Sequence, residues 1–251
     1  VVAAALGSLD LLAGQSGPMS KDDLPLNSVK GQMSLGAQPG GPLAARPQRN
    51  DGVFVPHYRD EGIILRTHKL GEVDRILTIL TKEHGQIRAV AKGVRKTSSR
   101  FGARLEPFMV ADLQLYEGKA LDTVSQVEQL ASYGANIVAD YPKYTAANAM
   151  VEAAERLTRE SSNSQQYLLL LGGLRALSGN DHEGSQVLDS YLLRALSLSG
   201  WVPELGSCHS CQSENPVAFS VHTGHVSCSD CSLPGAVKLG NVGLVHMRNL
   251  L

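Results

Sequence analysis

The sequence predicts a multidomain protein of the mixed α and β class: a five-stranded barrel, then a helical bundle that carries a four-cysteine zinc element. Three observations predict it. Five short strands with glycine-bearing turns come first, a helical period of apolar residues follows, and two C-x2-C pairs lie near the end. With 251 residues and 43% hydrophobic composition, the chain is long enough for real cores. The net charge of −1 gives no overall basic or acidic excess.

Residues 1–57 are predicted to be a disordered extension. Gly, Pro, Ser, Gln and Asn are dense there, and hydrophobic periodicity is absent. The chain begins with Val1, and the apolar start lacks the basic flank of a signal peptide, so we interpret the extension as mis-assigned upstream sequence. We expect a cytosolic protein with reduced thiols and, since no run of 18 apolar residues occurs, no membrane span.

The segment after this extension shows the pattern of a small barrel. The candidate strands are Tyr58–His68, Asp74–Thr81, Gln86–Ala91, Met109–Tyr116 and Ala120–Leu130. The second of them alternates Ile76, Thr78 and Leu80 with Leu77 and Ile79, so both of its faces carry apolar residues. Several short strands in succession favour a closed barrel over a sheet of β-α-β units.

The middle of the chain changes to the helical period. Asp140 is a plausible N-cap for a first helix with a continuous apolar stripe. A second helix, Gln165–Ser178, is interrupted by Gly172-Gly173, and a third covers Gln186–Leu198. Gly200 then stands where a glycine commonly ends a helix. We interpret these apolar stripes as bundle core rather than as a ligand site.

Two C-x2-C pairs separated by sixteen residues predict a metal site. The pairs use all four cysteines of the chain, Cys208, Cys211, Cys228 and Cys231. This spacing is typical of zinc held by four thiolates, a closed and therefore structural site. Two disulfides are the alternative, and they need an oxidising compartment. Three nearby histidines could stand in as ligands, although we expect them to be bystanders or hydrogen-bond donors to the ligands: His209, His222 and His225.

Residues 88–104, here called the basic segment, predict a nucleic-acid contact. The segment contains six cations and no acid: Arg88, Lys92, Arg95, Lys96, Arg100 and Arg104. Phe101 lies among them, and cations with an interleaved aromatic ring suit a single strand, since cations contact phosphates and a ring stacks on a base. The alternative is a solvated loop in which Phe101 packs under the barrel.

No catalytic constellation is visible. The sequence lacks the phosphate-binding loop of NTPases, the H-E-x-x-H zinc motif and the G-x-S-x-G nucleophile motif. Two carboxylate pairs, Asp60/Glu61 and Glu72/Asp74, could hold magnesium in a nuclease. Turn and surface positions beside strands explain them more simply, so we predict no enzymatic activity.

Two stretches make the chain resemble RecO, the bacterial recombination mediator family. Residues 58–108 look like its opening, with the pattern AKG followed by SRFG-x-RLEPF, and residues 192–211 look like its junction between helix and zinc element. The resemblance covers 58–251 and has an actinobacterial character. It implies an OB fold at 58–133 and a helical domain at 134–251 with an inserted zinc element at 205–235. It also implies that the helical domain is truncated at its C-terminal end.

The resemblance further implies a function without bond chemistry. RecO proteins bind single- and double-stranded DNA, anneal complementary strands, and contact single-strand-binding protein and RecR, which helps RecA load. The cations that match the family's basic loop would bind DNA, namely Lys92, Arg95, Lys96, Arg100 and Arg104. The four cysteines would hold zinc, and the protein would be cytoplasmic and nucleoid-associated during repair. A zinc-ribbon adaptor that binds only protein and a metal-dependent nuclease are the alternatives.

Overall fold

A computed structural model describes residues 56–99, 101–159 and 164–251. The predicted disordered extension therefore lies outside the described residues, apart from its last two positions. Within the described ranges, no helix combines the length and the apolar character needed to cross a bilayer.

Five strands form a closed barrel in the order β1-β2-β3-β5-β4, as predicted. Their bounds are β1 His57–Leu70, β2 Asp74–Thr81, β3 Gln86–Ala91, β4 Met109–Tyr116 and β5 Asp122–Ser132. Neighbouring strands pair antiparallel, except that β3 and β5 close the barrel in parallel through two residue pairs. This is an OB-type barrel, and three of its strands have the bounds that the sequence predicted.

The strands β1 and β2 bury both of their faces. Leu77 and Ile79 point into the barrel core, whereas Leu80 packs outward against the helices. In β1, side chains alternate between the two faces, so that Ile64 faces the barrel interior and Ile63 faces the helices. The outer face of the barrel and the helices therefore share one apolar cluster, which is separate from the cluster that fills the barrel.

Four helices follow the barrel: α1 Gly134–Val138, α2 Tyr141–Leu157, α3 Ser164–Ser178 and α4 Gly184–Leu198. Asp140 caps α2 as predicted, because its Oδ1 accepts a hydrogen bond from Lys143 N at 3.1 Å. The expected interruption at Gly172-Gly173 is wrong, since α3 is continuous there. A Cβ on Gly173 would lie 2.3 Å from Met150 Cε, so this glycine allows α3 to approach α2 closely.

The last part of the chain forms a small sheet and a helix. The sheet has the order β7-β6-β8, from β6 Ala218–Ser220, β7 His225–Ser227 and β8 Val237–Lys238, and α5 is Gly240–Leu250. Phe219 and Val226 share a buried cluster with Leu193 of α4 and Leu244 of α5. The small sheet is thus held against the bundle by apolar contacts, and Arg248 Nε of α5 donates to Leu205 O, in the loop after α4, at 2.8 Å.

Candidate nucleic-acid interface and metal centre

The basic segment leaves β3 and crosses one end of the barrel. Three apolar side chains hold it there, because Val94, Phe101 and Leu105 are only 8%, 2% and 1% exposed and belong to the barrel core. Gly93 N also donates to Asp74 Oδ1 at 2.7 Å, which ties the segment to the start of β2. The burial of Phe101 was one of the two alternatives that the sequence left open, whereas the burial of Val94 and Leu105 was not predicted, although apolar residues spaced through a run of cations are the signal for it.

The cations of the basic segment face solvent. Five of the six cations predicted to contact DNA are described, and all five are exposed: Arg88 on β3, and Lys92, Arg95, Lys96 and Arg104 beyond it. The guanidinium of Arg95 donates to the carbonyl oxygens of Gly71 and Glu72, at 3.2 and 2.7 Å, and so fixes the turn between β1 and β2. Arg104 Nη1 donates to Val127 O at 3.3 Å. The sixth cation, Arg100, lies outside the described residues.

None of these five cations forms an ion pair with another described residue, in contrast to other arginines of the barrel. Arg59 contacts Asp112 at 2.6 Å, Arg66 contacts Glu155 at 2.9 Å, and Arg75 contacts Glu106 at 2.6 Å. Paired charges cancel at a distance, whereas unpaired exposed charges attract an anion and can bind it without first breaking an ion pair. The basic segment therefore carries the largest group of exposed cations without ion-pair partners in the described part of the barrel.

Phe101 requires a correction. Base stacking needs an exposed ring face, and the ring is 2% exposed among the residues of the barrel core. The structure instead has the arrangement given above as the alternative, in which Phe101 packs under the barrel. The ring therefore anchors the basic segment to the barrel core.

Three of the four carboxylates that could have served a nuclease, Asp60, Glu61 and Asp74, have structural partners. Asp60 is buried and accepts hydrogen bonds from the backbone N–H groups of Glu83 and His84, both at 3.1 Å, and contacts His84 Nδ1 at 2.7 Å. It thereby stabilises the turn between β2 and β3. Glu61 pairs with Lys82 at 3.6 Å, and Asp74 accepts from the basic segment as described above.

The four cysteines form one cluster at the base of the small sheet. The strands β6 and β7 form a hairpin between the two C-x2-C pairs, and His209 N donates to Val226 O at 3.0 Å, which brings the pairs together. All four sulfurs lie within 4.8 Å of one another, and those of Cys211 and Cys228 are 3.7 Å apart. Tetrahedral zinc with bonds of about 2.3 Å requires sulfur separations of about 3.8 Å. The cysteines are thus positioned to hold a metal ion, and their spacing is compatible with zinc.

Electrostatics in the cluster also fit a cation. The pKa of Cys208 is lowered to about 6 because backbone N–H groups of Cys211 and Cys228 donate to its sulfur. The pKa of Cys231 is raised to about 12, first by its hydrogen bond with the Cys228 side chain. One thiol is therefore ready to ionise, and another keeps its proton until a cation offsets the negative charge that collects among the sulfurs.

Comparison with known proteins decides the family. The profile described as Recombination protein O N terminal matches residues 56–133, and the profile described as Recombination protein O C terminal matches residues 138–250. The chain belongs to the RecO family. RecO proteins act in DNA repair, so the barrel and helical parts described above are those of a RecO family DNA repair protein.

Curated RecO relatives are similar over most of the chain, and they are mostly actinobacterial, as the sequence suggested. The DNA repair protein RecO of Bifidobacterium longum (strain DJO10A) is 54% identical over 68% of this chain and 72% of its own length. Those of Thermobifida fusca and Streptomyces griseus are each 50% identical over 77% of this chain, and over 81% and 82% of their own lengths.

The buried position of Phe101 leads to a test. Phe101→Ala should destabilise the protein by about 3–5 kcal/mol, because it removes a fully buried ring from the barrel core. Thr97→Ala, an exposed change in the same segment, should stay within about 0.5 kcal/mol of the parent. Urea unfolding followed by circular dichroism measures both. A Phe101→Ala variant with parental stability and weakened DNA binding would restore the stacking interpretation.

Proposed function

We propose that this protein is a DNA-binding recombination mediator that acts without making or breaking bonds. It binds single- and double-stranded DNA through the cations of the basic segment and anneals complementary strands. The observation that carries the proposal is the set of five exposed cations without ion-pair partners among the described residues, all on one segment that begins in β3 of an OB-type barrel and continues beyond that strand. OB barrels commonly present such a surface to oligonucleotides.

The proposed mechanism is charge neutralisation. Two complementary strands repel each other because each phosphate carries a negative charge, and bound cations reduce that repulsion. Because Arg95 and Arg104 are already held by backbone carbonyls, part of the ordering cost is met before DNA arrives. Base edges need not be read, so binding is independent of sequence and the bases remain free to pair.

The proposed context is recombinational repair in the cytoplasm, with association with the nucleoid. Residues 58–133 would be the DNA-binding domain, and 134–251 the helical domain with its zinc element at 205–235. Partners would be single-strand-binding protein and RecR, with RecA loaded indirectly on strands that single-strand-binding protein had covered. The family resemblance supports these partners.

For the cysteine cluster we propose zinc in a structural role. Four thiolates leave no position open for water, so the ion would stabilise the fold rather than perform chemistry. The ligands would be Cys208, Cys211, Cys228 and Cys231, which hold the two ends of the β6–β7 hairpin together. Binding energy at such a site contributes directly to folding.

Salt dependence tests the DNA contact. Each phosphate neutralised on a single strand contributes about −0.7 to the slope of log affinity against log salt, so four or five engaged cations should give about −3. Lys92→Ala with Lys96→Ala should flatten the slope by about 1.4 and weaken binding equally on all sequences. Fluorescence anisotropy with a labelled single strand across a salt series measures this.

The matched control removes the same charge elsewhere. Arg175→Ala with Lys238→Ala deletes two exposed cations from α3 and β8 and should leave the slope unchanged. Annealing should fall with binding in the first variant alone, without strand cleavage in magnesium. Parental binding by the Lys92/Lys96 variant would contradict the proposal and favour the protein-binding adaptor, and magnesium-dependent cleavage would favour the nuclease.

Elemental analysis tests the zinc. The purified chain should contain about one tightly held zinc at the cysteine cluster, and Cys211→Ser should lose it. The thermal midpoint of that variant should fall by about 5–10 °C. Ser210→Ala, which changes a residue between Cys208 and Cys211, should keep the zinc and the thermal midpoint of the parent protein. A disulfide joining Cys208 to Cys211 or Cys228 in freshly purified protein would contradict this assignment.

A further inference from the structure

A second group of metal-ligating side chains lies beside the cysteine cluster and shares none of its residues. It consists of Glu204, His209 and His225, whose ligand atoms lie within 4.8 Å of one another. Glu204 Oε2 is 3.0 Å from His225 Nδ1 and 3.7 Å from His209 Nδ1. The two imidazole rings are stacked, with centroids 3.9 Å apart. Two imidazoles and one carboxylate therefore converge at the surface of the zinc element.

The backbone brings these three residues together from separate segments. Glu204 forms an isolated parallel bridge with His225, and its N–H donates to Gly224 O at 2.8 Å. His209 is held through its own N–H, which donates to Val226 O at 3.0 Å. His225 belongs to β7 and pairs with Ser220 of β6. Main-chain contacts therefore fix the backbone positions of all three residues.

One ring nitrogen of the group has no hydrogen-bond partner among the described residues. Nδ1 of His225 has no solvent-exposed surface and no well-directed hydrogen bond to any described residue, although the Glu204 carboxylate is near. An ordinary ion pair would need a charged imidazole, whereas neutral imidazole and carboxylate are ligands that zinc, nickel and copper accept. A cation between the three groups would satisfy the lone pairs of both rings and the carboxylate.

We propose that Glu204, His209 and His225 form a second, exchangeable site for a divalent transition-metal ion such as zinc. Three protein ligands leave a coordination position for water, unlike the closed four-thiolate site. The side chains of Glu204 and His209 are 67% and 58% exposed, so the ion can enter from solvent and the rings can turn out of their stack to direct both nitrogen lone pairs at it. A cavity of about 210 Å³ lined by both histidines adjoins the group.

Metal stoichiometry on the full chain tests the site. The chain, loaded at the cysteine cluster, is freed of weakly held ions with a mild chelator and then dialysed against Zn²⁺. Wild type should take up about one further equivalent, reversibly. His209→Gln with His225→Gln should take up none while keeping the tightly held zinc. His222→Gln, which alters a nearby exposed histidine outside the group, should behave as wild type.

A second variant tests the site independently, in case the double histidine variant does not fold. Glu204→Gln alters an exposed side chain and should weaken the second site at least about tenfold, without changing the thermal midpoint of the metal-stripped chain. Co²⁺ at the second site should absorb without the sulfur-to-metal charge-transfer band that four thiolates give. Uptake of no further ion by wild type would overturn the proposal. It would also be overturned if the Glu204 variant and the double histidine variant took up as much of the second ion as wild type does.

Discussion

The two-sided burial of β1 and β2 is the constraint on which the rest of the structure depends. Ile64, Leu77 and Ile79 fill the barrel, while Ile63 and Leu80 on the same strands pack against the helices. Because the helices cover one outer face of the barrel, a large ligand can bind the barrel only at its remaining surface. The end crossed by the basic segment is such a place, because the side chains between its buried residues are exposed.

The cations of the barrel fall into two groups, those that form ion pairs with carboxylates and those that form none with a described residue. Arginines that stabilise the barrel wall or its contact with α2, such as Arg59 and Arg66, are neutralised by carboxylates. Lys92 and Lys96 have no such partner among the described residues, and the hydrogen bonds of Arg95 and Arg104 go to carbonyl oxygens that leave their charge uncompensated. A chain with a net charge of −1 can thus still present a positive surface, which total composition conceals.

Short sequence patterns predicted the features that depend on neighbouring residues. Strands β2, β3 and β4 have their predicted bounds because alternation and flanking turns define them, and Asp140 caps α2 because capping involves neighbours in sequence. Strands of two or three residues in the zinc element carry no period and were missed. Whether Phe101 faces a base or the core depends on contacts with distant strands, and sequence left both open. The approach of Glu204 to His225 likewise rests on a bridge between segments twenty-one positions apart.

Protection of lysines by DNA tests the central claim most directly. The full chain is treated with an acetylating reagent, with and without a saturating single-stranded oligonucleotide, and modification at each lysine is measured by mass spectrometry. The account predicts that Lys92 and Lys96 become several-fold less reactive, while Lys82, paired with Glu61, and Lys238 of β8 do not change. Protection confined to lysines outside the basic segment, or equal reactivity at Lys92 and Lys96 with and without DNA, would contradict it.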